Sequence, residues 1–163
     1  MSTPKIFNLV QEFAEIARVS KIHVNPFVGS KRTLHVLDLS GPAGKPVLGV
    51  YIKISNLSPG FWGIDRSQVD WLNKSGLEWL LVLLKGPDGE SFVGAGAQVN
   101  QAIRTSNWSQ QISHGQYKVQ ERNIEHFRHF HSYSQLFNYI ISQCQTLVSA
   151  LPDGPQSSQQ TIL

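Results

Sequence analysis

Three histidines stand close together near the carboxyl end of the chain, and their side chains have the chemistry of metal ligands. His126, His129 and His131 occur in His-Phe-Arg-His-Phe-His. Two or three imidazoles can bind Zn²⁺ or another transition metal. The acids near them in sequence are Glu121 and Glu125, and no cysteine stands near them. The pattern favours a polar surface between buried phenylalanines over a metal site.

Two charged residues, Asp38 and Lys53, lie inside stretches that otherwise predict β-strands. They occur in His-Val-Leu-Asp-Leu and Val-Tyr-Ile-Lys-Ile-Ser. A buried or half-buried charge needs a partner, so we expect Asp38 and Lys53 to approach each other. A structural ion pair is one interpretation of such an approach. A lysine whose stem is covered while its ammonium group reaches solvent is another.

The elements that position these two residues follow from periodicity and turn signals. An apolar stripe at helical spacing predicts a first helix that starts at Pro4. Three strands are then predicted, at residues 22–28, 33–40 and 47–55. Pro26 favours a sheet edge for the first, and the turn at residues 41–45 makes the other two antiparallel neighbours. Since side chains alternate along a strand, Asp38 and Lys53 would share one face.

The rest of the chain alternates between helices and strands. A loop at 56–63 precedes a helix at 65–74, which Asp65 and Gln68 would cap. The almost wholly apolar stretch 77–85 predicts a central strand buried on both faces. Weaker signals predict strands at 91–93 and 117–119 and a short helix at 99–105. A helix at 133–151, capped by Ser132, carries a long apolar stripe that makes Cys144 a core residue.

The composition indicates a globular chain. Among 163 residues, 40% are hydrophobic and 15% charged, which argues against disorder for residues 1–151. We expect one domain over 1–151 and a disordered tail at 152–163, which is rich in Ser and Gln. The single cysteine excludes an internal disulfide, and no apolar run can span a bilayer. These features, with no signal-peptide pattern at the amino end, predict a cytoplasmic protein without a membrane role.

Aromatic residues and charge bear on nucleic-acid binding. The net charge of +3 permits contact with DNA or RNA without requiring it. Trp71 and Trp79 fit core positions. Trp62, in the predicted loop, is expected to anchor that loop in the core, although an exposed Trp62 could stack on bases.

The segment from Leu34 to Leu84 resembles the core of the PD-(D/E)xK nuclease superfamily, also called restriction-endonuclease-like. The resemblance rests on the order helix, strand, strand, strand, helix, buried strand. It also rests on Asp38 in the first motif and Lys53 at the lysine of the second. It implies a mixed α/β fold with a mixed sheet and, here, a carboxyl-terminal helix. In such nucleases two acids hold Mg²⁺ against the scissile phosphate, and the lysine orients the attacking water or stabilises charge.

One catalytic acid of that pattern is missing. Two residues before Lys53, where an active member has Asp or Glu, stands Tyr51. A phenol whose ordinary pKa is about 10 is a poor ligand for Mg²⁺ at neutral pH. The resemblance therefore implies catalytic positions at Asp38, Lys53 and Tyr51, with the last degenerate.

In some members of the superfamily the second acid lies elsewhere. Asp65 and Asp70 on the following helix are candidates, and Glu12 on the first helix could be a further ligand. A metal set of Asp38, Asp65 and Glu12 would then operate with Mg²⁺. The simpler interpretations are a helix cap for Asp65 and solvated helix faces for Asp70 and Glu12.

These observations lead to three hypotheses. The first is an inactive or weakened nuclease-fold domain, a pseudoenzyme that binds DNA or RNA or serves as the partner subunit of a DNA-processing or defence system. The second is an active Mg²⁺-dependent DNA endonuclease with a rearranged acid set. The third is a protein–protein interaction domain.

Overall fold

The computed structural model describes residues 6–26, 36–86, 89–105, 107–108 and 115–151 of the 163 in the chain. The predicted helix start at Pro4 and the predicted tail at 152–163 lie outside these ranges. The helices are α1 (Ile6–Val19), α2 (Arg66–Lys74), α3 (Gly96–Arg104) and α4 (Tyr133–Ser149). The strands are β1 (His23–Pro26), β2 (Val36–Ser40), β3 (Pro46–Ser55), β4 (Phe61–Asp65), β5 (Glu78–Lys85), β6 (Glu90–Ala95), β7 (Gln116–Gln120) and β8 (Arg128–Phe130).

Six of these strands form one mixed sheet in the order β1-β2-β3-β5-β6-β8. Strands β1, β2 and β3 are antiparallel, β3 and β5 are parallel, and β5, β6 and β8 are antiparallel. The predicted mixed α/β fold is confirmed, and the predicted order of helix, three strands, helix and buried strand holds for the main sheet, with the additional strand β4 inserted before α2. The predicted central position of β5 and edge position of β1 are also confirmed.

The sheet separates two hydrophobic layers. On one face, α1 and α4 pack on inward side chains such as Leu37, Val50 and Val82. On the other face, α2, α3 and a two-stranded ribbon of β4 and β7 pack on side chains such as Tyr51 and Leu83. Strand β5 supplies apolar residues to both layers, which explains why its sequence shows no alternation.

The carboxyl-terminal helix forms as its stripe predicts. Ser132 accepts a hydrogen bond from the backbone N–H of Gln135 at 3.2 Å, so the predicted cap is confirmed. The side chains buried against the sheet are Leu136, Phe137, Ile140, Ile141 and Cys144. Among the described residues, no helix is both long and apolar enough to cross a membrane.

Two local predictions between β3 and β5 are wrong. The expected loop at 56–63 ends early, because β4 begins at Phe61 and pairs antiparallel with β7. Asp65 precedes α2, but its side chain makes no capping hydrogen bond. Gln68 is buried and completes no capping box with it. The ribbon, rather than a cap, fixes the entry into α2.

Of the predictions for Trp62 and Trp71, the core anchor at Trp62 is confirmed and the core position of Trp71 is wrong. Trp71, predicted to be in the core, is 49% exposed on α2. Trp62 is almost fully buried, and its indole N–H donates to the Leu84 carbonyl at 3.0 Å. Trp62 thus anchors β4 on the sheet, and the alternative of base stacking by Trp62 is wrong.

Candidate functional site

Asp38 lies in the middle of β2 with only 6% of its surface exposed. Burial raises the pKa of its carboxyl group above the ordinary value, and a hydrogen bond from the Asn25 side chain partly offsets this effect. Asn25 is its neighbour across the β1–β2 pair. The protein around Asp38 therefore penalises the ionised form, whereas a metal ligand must be ionised.

The expected shared face of Asp38 and Lys53 is confirmed by the register of β2 and β3. Asp38 pairs with Gly49, and Val36 pairs with Tyr51. Lys53 lies on the same face as Gly49 and Tyr51 but four residues beyond Gly49. At about 3.3 Å per residue, the two charged residues are about 13 Å apart along the strands. This spacing is too long for a direct ion pair.

Tyr51, the residue in place of the missing acid, has a structural position. Its side chain is buried, and its hydroxyl oxygen accepts the backbone N–H of Asp65 at 3.1 Å. The phenol thereby joins the centre of β3 to the end of β4, where α2 begins. A carboxylate at position 51 would be shorter and would have to be desolvated in this layer.

The acids that could replace the missing one do not gather around Asp38. The Asp65 carboxylate accepts a hydrogen bond from the Gln116 side chain at 2.8 Å, across the ribbon. Asp70 is exposed on α2. Glu12 is exposed on α1, which packs on the opposite face of the sheet from Asp38. The structure therefore does not bring together the predicted ligands Asp38, Asp65 and Glu12.

The side chains that do converge as possible metal ligands lie elsewhere on the sheet. Within the described residues, one group of three or more His, Cys, Asp or Glu side chains comes together, and it consists of Glu90, His129 and His131. It lies at the far end of the sheet from Asp38. The Asp38 environment does not fit Mg²⁺, because one buried carboxyl group with a raised pKa is a poor site for a hard dication.

The position opposite Asp38 has no space for another acid. A β-carbon built on Gly49 would come within 2.9 Å of Leu72 Cδ2 and 3.2 Å of Trp79 Cβ. Leu72 of α2 therefore occupies the space that a side chain at position 49 would need. The glycine allows α2 to pack closely on the sheet here.

A surface cleft opens beside Asp38, and positive charge lines it. Its walls include Lys45 from the turn before β3, and Trp71 and Lys74 from α2. Both lysines are exposed, and neither forms an ion pair with another described residue. Trp71 and Lys74 are one helical turn apart and therefore project side by side. The cleft combines an aromatic surface with two free ammonium groups.

The sequence pattern placed Trp71 in the core and did not single out Lys45 or Lys74. The spacing of residues along α2 could have indicated that Trp71 is exposed, because the buried residues of this helix are Gln68, Val69 and Leu72. The buried stripe leaves Trp71 on the outer face next to Lys74. Lys45 could be placed beside them only once the pairing of β2 with β3 was known.

Comparisons with known proteins find a likeness in structure but none in sequence. No protein-family model matches the chain, and no curated protein matches it in sequence. Among solved structures, a Holliday junction resolvase from the archaeal hyperthermophile Archaeoglobus fulgidus superposes with a TM-score of 0.45. The alignment covers 80% of this chain and 98% of the resolvase, and the sequences are 8% identical. A likeness this distant does not indicate a function, so any proposed function rests on the residues of this chain itself.

Proposed function

We propose that this chain is a nuclease-fold domain that binds nucleic acid at the Asp38 cleft without cutting it. The observation that carries the proposal is the composition of the cleft. The nuclease resemblance would put a pair of metal-binding acids at this cleft, and only Asp38 of that pair is present. The cleft is lined instead by two lysines and a half-exposed tryptophan, Lys45, Lys74 and Trp71.

The cleft suits a phosphate backbone and its bases. Lysine side chains bind phosphates electrostatically, and the release of counterions makes such binding salt-dependent. An exposed tryptophan offers a stacking surface to any base. The Asp38 carboxyl group at the edge of the cleft repels phosphate when ionised, so phosphate contacts belong to the two exposed lysines.

Binding is tested by titrating fluorescently labelled single-stranded and duplex oligonucleotides at several salt concentrations. Replacing Lys45 or Lys74 by Ala should lower the slope of log K against log[salt] by about 0.7 for a single strand or 0.9 for a duplex. Trp71→Ala should weaken binding by about 1–3 kcal/mol. Arg18→Ala is the matched control, because Arg18 is exposed on α1, on the other side of the sheet.

Trp71 also provides a direct readout. The other three tryptophans, Trp62, Trp79 and Trp108, are buried, so acrylamide should quench mainly Trp71. Bound nucleic acid should protect Trp71 from the quencher, and Trp71→Phe should remove the effect. The absence of any salt-dependent binding would overturn the proposal and would favour the protein–protein interaction domain.

A further inference from the structure

A second cluster lies at the opposite end of the sheet from the cleft, on the last two strands. Glu90 is the first residue of β6, His129 is in β8, and His131 follows β8 directly. The register pairs Phe92 with His129 and Ser91 with Phe130, so the next position in the ladder sets Glu90 opposite His131. Because side chains alternate, the carboxylate and both imidazoles lie on one face.

The three side chains already converge. His129 Nε2 lies 3.0 Å from Glu90 Oε2. The centroids of the two imidazole rings are 4.4 Å apart. One ligand atom from each residue lies within 4.8 Å of the others. Ligand atoms about 2.1 Å from a tetrahedral zinc ion are about 3.4 Å from one another. Small rotations of these largely exposed side chains would bring their ligand atoms to that spacing.

The surroundings hold the ligands in position. The Phe92 ring stacks beneath His129 with centroids 4.5 Å apart and planes inclined by 15°. The backbone N–H of His131 donates to the Gln135 side chain at 3.1 Å, at the start of α4. The His129 ring and the backbone that carries His131 are therefore restrained by neighbouring elements, which lowers the cost of ordering the ligands around a cation.

The local charge also favours a cation. Lys85 Nζ lies 2.9 Å from Glu121 Oε2 and 3.7 Å from Glu90 Oε1. Glu121 thus supplies the closer partner for the lysine. Among Lys85, Glu90 and Glu121, two carboxylates share one ammonium group, so Lys85 leaves one negative charge of these three side chains uncompensated.

We propose that Glu90, His129 and His131 form a site for Zn²⁺ or a similar divalent transition metal, with water completing the coordination. Imidazole nitrogen is a ligand that Zn²⁺, Cu²⁺ and Ni²⁺ favour, whereas Mg²⁺ prefers oxygen. Glu90, brought in by β6, completes the set, in place of the sequence neighbours Glu121 and Glu125. A bound ion would join β6 to β8 just before α4. The site is independent of nucleic-acid binding at Asp38.

The test is a zinc titration of the metal-free full-length protein against a chromophoric chelator. One equivalent should bind, and Mg²⁺ should not compete. His129→Gln, His131→Gln and Glu90→Gln should each weaken binding by at least about tenfold, the size of effect seen even for residues that support metal ligands indirectly. His126→Gln is the matched control, since His126 is exposed nearby and lies outside the group.

Two further readouts follow zinc binding by thermal stability and by NMR, and the second uses the wild type alone. Zinc should raise the melting temperature of the wild type and of His126→Gln, but not of His131→Gln. In the wild type, zinc should shift the imidazole NMR signals of His129 and His131 and leave those of His126 in place. No binding at micromolar zinc, or equal loss of binding in His126→Gln, would overturn the proposal.

Discussion

Asp38 on β2 faces Gly49 on β3, so the residue directly across from this buried acid has no side chain at all. Leu72 fills the adjoining space. The next position on the same face of β3 is Tyr51, whose hydroxyl is engaged by the Asp65 backbone. Packing, rather than a single substitution, excludes a second carboxylate here.

We therefore expect no Mg²⁺- or Mn²⁺-dependent cleavage of plasmid, single-stranded or branched DNA. Tyr51→Glu should not create activity, because the new carboxylate would lie in the buried layer and would have to be desolvated there. The measurement is an endonuclease assay on each substrate. Robust cleavage by the wild type that disappears in Asp38→Ala and in Lys53→Ala would establish the rearranged-site endonuclease instead.

Asp38→Asn should stabilise the protein at pH 7. Burial raises the pKa of Asp38 in the folded state, so the folded protein holds the proton more tightly than the unfolded chain does. The stability contributed by this group is consequently present below the ordinary carboxyl pKa and is lost as the pH rises through the folded-state pKa. An asparagine at this position avoids the loss and can still accept the hydrogen bond from Asn25.

Urea unfolding of Asp38→Asn and wild type at several pH values provides the measurement. The stability advantage of the variant should be greatest at neutral pH and should shrink toward about pH 4, near the ordinary Asp pKa. A difference in the free energy of unfolding that does not vary with pH would show that Asp38 titrates normally in the folded state.

Ile141→Ala should lower the free energy of unfolding by about 2–5 kcal/mol. Ile141 is 6% exposed and belongs to the layer that joins α4 to the sheet. The neighbouring Ser142 is exposed on the same helix, so Ser142→Ala should change stability by no more than about 0.5 kcal/mol. Chemical denaturation measures both. A loss below about 1 kcal/mol for Ile141→Ala would mean that this layer readily collapses around the missing atoms.

The thiol of Cys144 should be unreactive in the native protein. Its side chain is fully buried, and desolvation raises its pKa to about 11. Since the thiolate is the reactive form, a chromogenic disulfide reagent at pH 8 should detect no thiol in the folded state and one after denaturation. Rapid labelling of the folded protein would indicate local opening of α4 from the sheet.

Local signals were sufficient for much of the fold. The turn at residues 41–45 set the β2–β3 pair, the apolar run identified β5, and the stripe of α4 identified its buried face. Each of these depends on residues close together in sequence. The nuclease-like order of elements could be assembled from them.

Strand pairing between distant parts of the chain explains the features of the fold that the sequence did not predict. Strand β4 finds its partner in β7, about fifty residues later, and no local signal shows such a pairing. The exposure of Trp71 has the same origin, because a tryptophan's type does not say whether tertiary contacts will cover it.

The candidate sites were harder to predict than the fold. The sequence placed Asp38 and Lys53 on one face, but their separation depends on the register, which fixes Asp38 at Gly49. Similarly, the histidine cluster was visible in the sequence, whereas its acid partner, Glu90, is 39 residues away. A site whose side chains come from different strands can be predicted only once the pairing of those strands is known.

The six-stranded sheet tapers from a ten-residue β3 to edges of four residues at β1 and three at β8. A free edge with a long ladder of unpaired backbone groups recruits strands from other chains and promotes aggregation. Within the described residues, β1 and β8 offer only short ladders, and β1 ends at Pro26, which has no N–H to donate. These two described edges are thus poorly suited to strand addition, so a partner that docks on them is expected to recognise side chains.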